Sequence, residues 1–112
     1  MVIGVAGVFA VMAGFRLATT GSNKAGAKMK IEQGATVIDV RSPSEFASGH
    51  YPGAINIPLP DVQGRVAELG DKNKAIVVYC ASGMRSAQAA KLLAAAGFTD
   101  VTNAGGLSNL KP

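Results

Sequence analysis

The residues best suited to chemistry lie in the stretch VVYCASGMRSAQAA, residues 77–90, which contains Cys80, the single cysteine of the chain. An apolar run precedes Cys80, the short loop ASGM separates it from Arg85, and an alanine-rich helix is predicted to begin near Ser86. The sequence therefore puts the thiol at the carboxyl end of a predicted strand, where open parallel sheets bind their ligands. The alternative is a small buried core residue, as free cysteines often are.

The loop after Cys80 is suited to hold an anion. Gly83 can take backbone angles that other residues resist, so a tight curl can turn several N–H groups toward one point. Those donors, the following helix N-terminus and the guanidinium of Arg85 all favour negative charge. A cation at a helix N-terminus does not stabilise that helix, which favours another role for Arg85. The anion is either the Cys80 thiolate, whose pKa such surroundings lower, or an oxyanion substrate.

Short β-branched runs alternate with amphipathic stretches after residue 30, which predicts an α/β fold with a mainly parallel central sheet flanked by helices. The predicted strands are ATVIDV (35–40), AIVVYC (75–80) and DVTN (100–103), the first two buried on both faces. The predicted helices are SPSEFASGH, with Ser42, Pro43 and Glu45 in a capping-box pattern, DVQGRVAELG, closed by Gly70, and SAQAAKLLAAAG, stopped by Gly97.

The chain opens with fifteen apolar residues, MVIGVAGVFAVMAGF, followed by Arg16. We interpret residues 1–20 as an N-terminal hydrophobic helix that anchors the protein in a membrane, 21–30 as a linker and 31–112 as the folded domain. Because positive charges follow the segment, the domain is expected to face the cytoplasm. The alternatives are export to the periplasm and a helix that packs on the domain or lies at a membrane surface.

Composition excludes several classes of protein. A chain of 112 residues suits one domain, and one cysteine with one histidine supplies neither an intrachain disulfide nor the usual ligands of structural zinc. The net charge of +4 comes from the first 31 residues, since seven basic and seven acidic residues balance each other from residue 32 onward. Without a basic stripe on the folded part, no nucleic-acid partner is expected.

Three blocks of the sequence resemble the rhodanese family of sulfurtransferases. They are VIDVRSPSEFASGHYPGAINIPL (37–59), VVYCASGMRS (77–86) and GFTDVTNAGGL (97–107), in the family's order and at its spacing. Together with the segments between them they cover about residues 31–112. The first block retains the signature residues Asp39, Arg41, Glu45, Phe46, Gly49, His50, Gly53, Ala54 and Asn56.

The resemblance implies a rhodanese-like fold and transfer of sulfane sulfur through a Cys80 persulfide, with no metal or organic cofactor. The implied partners are a small sulfur anion such as thiosulfate, an acceptor such as cyanide or a thiol, and a possible protein acceptor. The N–H groups of Ala81, Ser82, Gly83, Met84, Arg85 and Ser86 would cradle the persulfide, and Arg85 would hold the donor's oxyanion end. Ala81 stands where many thiosulfate-using members carry a basic residue.

Two other functions remain open. One is a non-enzymatic persulfide carrier or docking module that delivers sulfur to a protein partner. The other is a phosphatase or arsenate reductase, since dual-specificity cell-cycle phosphatases and similar arsenate reductases share this fold. Their loops have five residues between cysteine and arginine, whereas four intervene here, which favours sulfur.

The remaining signature residues are interpreted as structural support. We expect Asp39 and Arg41 to pair with each other or with Glu45, and His50 to form a structural hydrogen bond rather than act as a base. Gly105 and Gly106 are expected to serve backbone geometry.

Overall fold

A computed structural model of the chain describes residues 22–111. Its sheet has four strands, all parallel, in the order β2-β1-β3-β4. The strands are β1 (Thr36–Asp39), β2 (Ile55–Asn56), β3 (Ile76–Cys80) and β4 (Val101–Gly106). Because β3 lies between β1 and β4, the carboxyl ends of three neighbouring strands surround Cys80.

In the described part of the chain, three α-helices and three 3-10 segments connect and cover the strands. The helices are α1 (Lys24–Glu32), α2 (Pro43–Ala47) and α3 (Met84–Ala95), and the 3-10 segments are Leu59–Asp61, Gln63–Leu69 and Leu107–Asn109. The predicted α/β class with a parallel sheet is confirmed. Among residues 22–111, no helix is apolar and long enough to cross a bilayer. The predicted N-terminal hydrophobic helix, residues 1–20, falls outside the described residues.

Strand β3 is buried along its whole length because side chains pack on both faces of the sheet. Ile76, Val78 and Cys80 belong to a core shared with α3, while Val77 and Tyr79 belong to a second core that includes Ala27 of α1. The alternation of a strand thus directs the Cys80 side chain to the α3 side and Tyr79 to the other.

The predicted capping box of α2 is confirmed. The hydroxyl of Ser42 accepts from Glu45 N at 3.3 Å, and the Glu45 carboxylate accepts from Ser42 N at 2.9 Å. Pro43 opens the helix, where its missing N–H costs nothing. This reciprocal cap fixes the Glu45 side chain on a helix of five residues.

Helix α1 occupies the region where the sequence predicted a linker at residues 21–30. Asn23 caps it by accepting from Gly26 N at 2.9 Å, and Lys30 forms an ion pair with Asp100 at 2.7 Å. Ala27 is the buried residue of this helix. A helix that buries one small side chain has almost no apolar periodicity, so the pattern resembled a linker.

Two further elements differ from the prediction. The stretch beginning at Asp61 forms 3-10 turns instead of the predicted α-helix, because Pro60 and Gly64 both disfavour an α-helix. Gly70 ends this stretch, as predicted. Strand β4 continues to Gly106 instead of ending at residue 103, because a bulge at Ala104 restores pairing of Gly105 with Tyr79. Strand β2, only two residues long, was not predicted.

Candidate active site at the end of strand β3

The sulfur of Cys80 lies inside the loop that joins β3 to α3. The residue is fully buried, and its Sγ accepts a hydrogen bond from Gly83 N at 2.9 Å and from Ser86 N at 3.4 Å. Gly83 has a φ of 105°, which lets the chain turn back over the sulfur and begin α3 at Met84, two residues before the predicted start. The loop therefore presents N–H groups to the sulfur, as the sequence predicted.

A buried polar chain continues from the sulfur into β4. Ser86 Oγ lies 3.4 Å from Cys80 Sγ and donates to Asn103 Oδ1 at 2.7 Å, and both residues are buried. Asn103 Oδ1 also accepts from Gly105 N at 2.9 Å. The thiol is thus linked through one hydroxyl to a side-chain amide on the neighbouring strand.

The environment lowers the pKa of Cys80 below that of an ordinary thiol. Burial alone would raise that pKa, and it is the largest single influence. The thiolate form can accept hydrogen bonds from the Ser86 hydroxyl and from the N–H groups of Ser86, Gly83 and Ser82, and these together outweigh the effect of burial. The loop therefore favours the thiolate, which is the nucleophilic form of cysteine.

Arg85 reaches across to α2 and forms a two-pronged ion pair with Glu45. Nη1 donates to Oε1 at 2.7 Å and Nη2 donates to Oε2 at 3.0 Å, and each side chain is somewhat more than one third exposed. The Arg85 guanidinium and the N–H of Ser42 hold the pKa of Glu45 at about 2, so this carboxylate is ionised at neutral pH. The predicted anion-binding guanidinium is therefore already engaged by an internal anion.

Asp39 and Arg41 pair with each other, which confirms one of the two predicted arrangements. The Arg41 guanidinium donates to Asp39 at 2.7 to 3.1 Å and also to the carbonyl of Gly49 at 2.7 Å. The Tyr79 hydroxyl donates to Asp39 at 2.7 Å and accepts from Tyr51 N at 3.0 Å. Burial raises the pKa of Tyr79 to about 12, so the hydroxyl keeps its proton. This network holds the first signature loop beside β3.

His50 takes the structural position that the sequence predicted. Its Nδ1 lies 2.8 Å from the carbonyl oxygen of Phe46, and the two rings stack with centroids 3.7 Å apart. These contacts are to α2 and not to Cys80. His50 also lines an apolar cavity of about 250 Å³ with Tyr51, Pro52, Leu110 and Lys111.

The outer surface of the loop carries no charge of its own. Ala81 and Ser82 are exposed, and Met84 is 74 % exposed. Within residues 22–111, no group of acidic, histidine or cysteine side chains has the arrangement of a metal site. The outer surface of the loop is thus formed by small or apolar side chains, and the Arg85–Glu45 ion pair connects α3 to α2.

Two residues of the site were missed from the sequence, Tyr79 and Asn103. Both are polar side chains within strands otherwise filled with apolar or small residues. Buried polar groups are almost always hydrogen-bonded, so each one predicts a partner inside the fold. That signal was available, although it does not identify the partners.

The chain is similar in sequence and in fold to several known proteins. The sequence model of the rhodanese-like domain family matches residues 23–111 of the chain. Thiosulfate sulfurtransferase PspE of Escherichia coli (strain K12) is 47% identical over 74 residues, which cover 65% of this chain and 71% of that protein. The putative sulfur carrier protein YrkF of Bacillus subtilis (strain 168) is 37% identical over 76 residues, 68% of this chain but only 40% of that protein. A solved structure described as a rhodanese with anions from E. coli has a TM-score of 0.64 and 46% identity, covering 67% of this chain and 89% of its own.

Proposed function

The chain belongs to the rhodanese-like domain family and is a sulfurtransferase, and on that basis we propose that it moves sulfane sulfur from thiosulfate through a persulfide on Cys80. The observation that carries this proposal is the pair of backbone N–H groups, from Gly83 and Ser86, that point at Cys80 Sγ. The same donors suit a thiolate before sulfur transfer and a persulfide after it, because both are sulfur anions.

In the loading step, the Cys80 thiolate attacks the sulfane sulfur of thiosulfate. A bond forms between Sγ and that sulfur, the sulfur–sulfur bond of thiosulfate breaks, and its electron pair leaves with sulfite. The total charge is unchanged and no external oxidant or reductant takes part. The lowered pKa of Cys80 supports this step, since it increases the fraction of the thiol that is in the nucleophilic thiolate form.

Arg85 is proposed to bind the oxyanion end of the donor. Its guanidinium is ion-paired with Glu45, so a donor anion either shares the guanidinium with the Glu45 carboxylate or displaces that carboxylate from it. The pair is partly exposed, which makes such an exchange feasible without opening the core. Ala81, Ser82 and Met84 are the exposed residues of the loop beside Arg85, and their side chains add no second cation for the donor.

In the unloading step, a thiophilic acceptor such as cyanide attacks the outer sulfur, and the Cys80 thiolate is the leaving group. A protein thiol is a second candidate acceptor. Two observations favour it, namely the similarity to a putative sulfur carrier protein and the exposed Met84 beside the active-site loop. An exposed methionine can pack on an incoming protein surface, since its side chain is flexible and apolar. In that case the chain is a persulfide carrier with slow turnover of small acceptors.

The two possibilities are separated by a turnover assay. Purified protein is supplied with thiosulfate and cyanide, and thiocyanate is followed over many turnovers, with Cys80→Ser as the control. We expect steady thiocyanate formation that depends on Cys80. One sulfur atom bound to Cys80 with little thiocyanate released would assign the carrier function. Neither bound sulfur nor thiocyanate would overturn both.

We further propose that residues 1–20 anchor the domain to a membrane with the domain on the cytoplasmic side. The support is in the sequence, where fifteen apolar residues precede Arg16 and further positive charges follow. Fractionation of the full chain is expected to recover it with membranes, and protease added to spheroplasts should leave the domain intact. Equal solubility with and without residues 1–20 would overturn the anchor, and digestion in spheroplasts would assign a periplasmic location instead.

A further inference from the structure

The hydroxyl of Ser86 has one hydrogen and more than one acceptor for it. Its Oγ lies 2.7 Å from Asn103 Oδ1, 3.1 Å from the carbonyl oxygen of Gly83 and 3.4 Å from Cys80 Sγ. Neither of the two oxygens can donate, so each contact to an oxygen needs the serine hydrogen. The shortest of the three contacts is to Asn103, which therefore holds the hydrogen in this structure.

The orientation of the Asn103 amide is fixed by the backbone. Gly105 N donates to Asn103 Oδ1 at 2.9 Å, which requires an oxygen, not an amino group, at that position. Asn103 itself is 2% exposed and lies on β4, where the bulge at Ala104 lets Gly105 turn its N–H back toward the side chain. The acceptor that faces Ser86 is thus built into the strand and does not depend on solvent.

We propose that Asn103 is a positioning residue for sulfur transfer that acts through Ser86, holding the hydroxyl hydrogen while Sγ is uncharged and giving it up when charge develops on Sγ. With a protonated thiol, Ser86 accepts from the S–H group and donates to Asn103. With a thiolate, the Ser86 hydrogen turns to Sγ, and Asn103 keeps its bond from Gly105 N. The proposal rests on the proposed function, because it assigns the hydroxyl a place in the persulfide cycle.

The same exchange accompanies each half of the cycle. When the thiolate attacks the donor, Sγ becomes a neutral divalent sulfur, the negative charge moves to the outer sulfur, and the hydroxyl returns to Asn103. When an acceptor attacks the outer sulfur, the bond between the two sulfur atoms breaks and its electron pair stays on Sγ. The hydroxyl then turns to Sγ and stabilises the leaving thiolate. No proton is transferred, since only the direction of one O–H bond changes.

The charged groups around Cys80 are few and do not belong to this hydrogen-bond chain. On α3, Arg85 is neutralised by Glu45 of α2 and Lys91 is exposed, and on β1 Asp39 is paired with Arg41. Substitutions at Ser86 and Asn103 leave both ion pairs in place. A change in the titration of Cys80 in such variants therefore reports on the hydroxyl and not on a lost charge.

The test is a double-mutant cycle on the thiol titration. The thiolate fraction of the full chain is measured between pH 4 and 10 by ultraviolet absorbance and by the rate of alkylation, without any sulfur donor. Ser86→Ala removes the donor, so the Cys80 pKa should rise by about half to one unit. Asn103→Leu removes the competing acceptor, so the pKa should fall by a similar amount. In the Ser86→Ala background, Asn103→Leu should have no effect.

A merely structural role for Asn103 gives a different pattern. If Asn103→Leu only loosens the loop, the Cys80 pKa should rise or stay unchanged, and any effect of Asn103→Leu on that pKa should also appear in the Ser86→Ala background. Either of these two results overturns the proposal. Should Asn103→Leu fail to fold, the wild-type chain supplies a second measurement, the side-chain amide resonances of Asn103 followed by NMR against pH. The chemical shifts of this amide should change with pH at the same midpoint as the Cys80 thiol titration, and they should not change with pH in the Ser86→Ala variant. An amide that stays constant through the thiol titration of the wild type contradicts the proposal. Neither experiment requires sulfur transfer, so their failure is distinct from failure of the proposed function.

Discussion

Replacing Gly106 by alanine should damage the active-site loop without touching any group that takes part in chemistry. A Cβ at this position would lie 2.5 Å from the carbonyl oxygen of Ala81 and 3.3 Å from its carbon. Both are backbone atoms, so no side-chain rotation relieves the clash. The backbone of Gly106, with a φ of −85°, is one that alanine adopts readily, and the cost is therefore steric.

The size of the effect follows from that distance. Ordinary contacts of a Cβ begin near 3.4 Å, so Ala81 must move by about 0.9 Å, the difference between 3.4 and 2.5 Å. Inserting a methyl group into a packed site costs about 1–3 kcal/mol, which for a domain of this size lowers the melting temperature by roughly 4–8 °C per kcal/mol. A displacement of about 1 Å in a catalytic loop lowers the rate about 100-fold.

The assay combines thermal unfolding with the single-turnover rate of sulfur loading from thiosulfate. Gly64→Ala is the matched control, because a Cβ at Gly64 meets nothing within 4 Å. We expect the control to keep its rate and its melting temperature, while Gly106→Ala loses both. If Gly106→Ala loads sulfur within twofold of the wild-type rate, the geometry of the loop does not depend on the close approach of β4.

Three further predictions concern the ionised groups. Glu45→Gln keeps the acceptor of the capping box but removes the negative charge that is paired with Arg85. The KM for thiosulfate should therefore fall about two- to fivefold in steady-state assays. An unchanged or higher KM would contradict competition between Glu45 and the donor for Arg85. Asp39→Asn leaves the buried Arg41 guanidinium without its counter-charge and should lower the free energy of unfolding in urea by about 3–5 kcal/mol. The exposed Asp71→Asn control should change that free energy little, and equal effects of the two substitutions would contradict the role of burial. Alkylation of Cys80 should have its midpoint below the ordinary thiol value of about 8.5, since the thiolate is lost only as the pH falls through a lowered pKa; a midpoint at or above that value would contradict the donor loop.

The parts of the site that could be predicted from the sequence are those in which local residues determine local structure. Ser42 and Glu45 form the predicted capping box, and the apolar run ending at Cys80 forms a strand buried on both faces. Gly83 supplies the turn over the sulfur. In each case the relevant residues lie within a few positions of each other, so spacing alone carried the information.

The parts that differed depend on contacts between distant segments. Glu45 and Arg85 are 40 positions apart, and the sequence offered several partners for each charge without a way to choose among them. Asn103 on β4 and Ser86 on α3 are 17 positions apart and meet only where the helix packs against the sheet. Helix α1 is held by its cap and by an ion pair to Asp100, neither of which produces an apolar repeat.

Intact-protein mass spectrometry shows directly whether Cys80 carries the sulfur. The protein is incubated with thiosulfate, desalted without reductant, and compared with Cys80→Ser treated in the same way. The persulfide mechanism predicts a gain of one sulfur atom on the wild-type chain, its removal by cyanide, and no gain on the variant. An unmodified wild-type chain, or an equal gain on Cys80→Ser, would contradict sulfur transfer through Cys80.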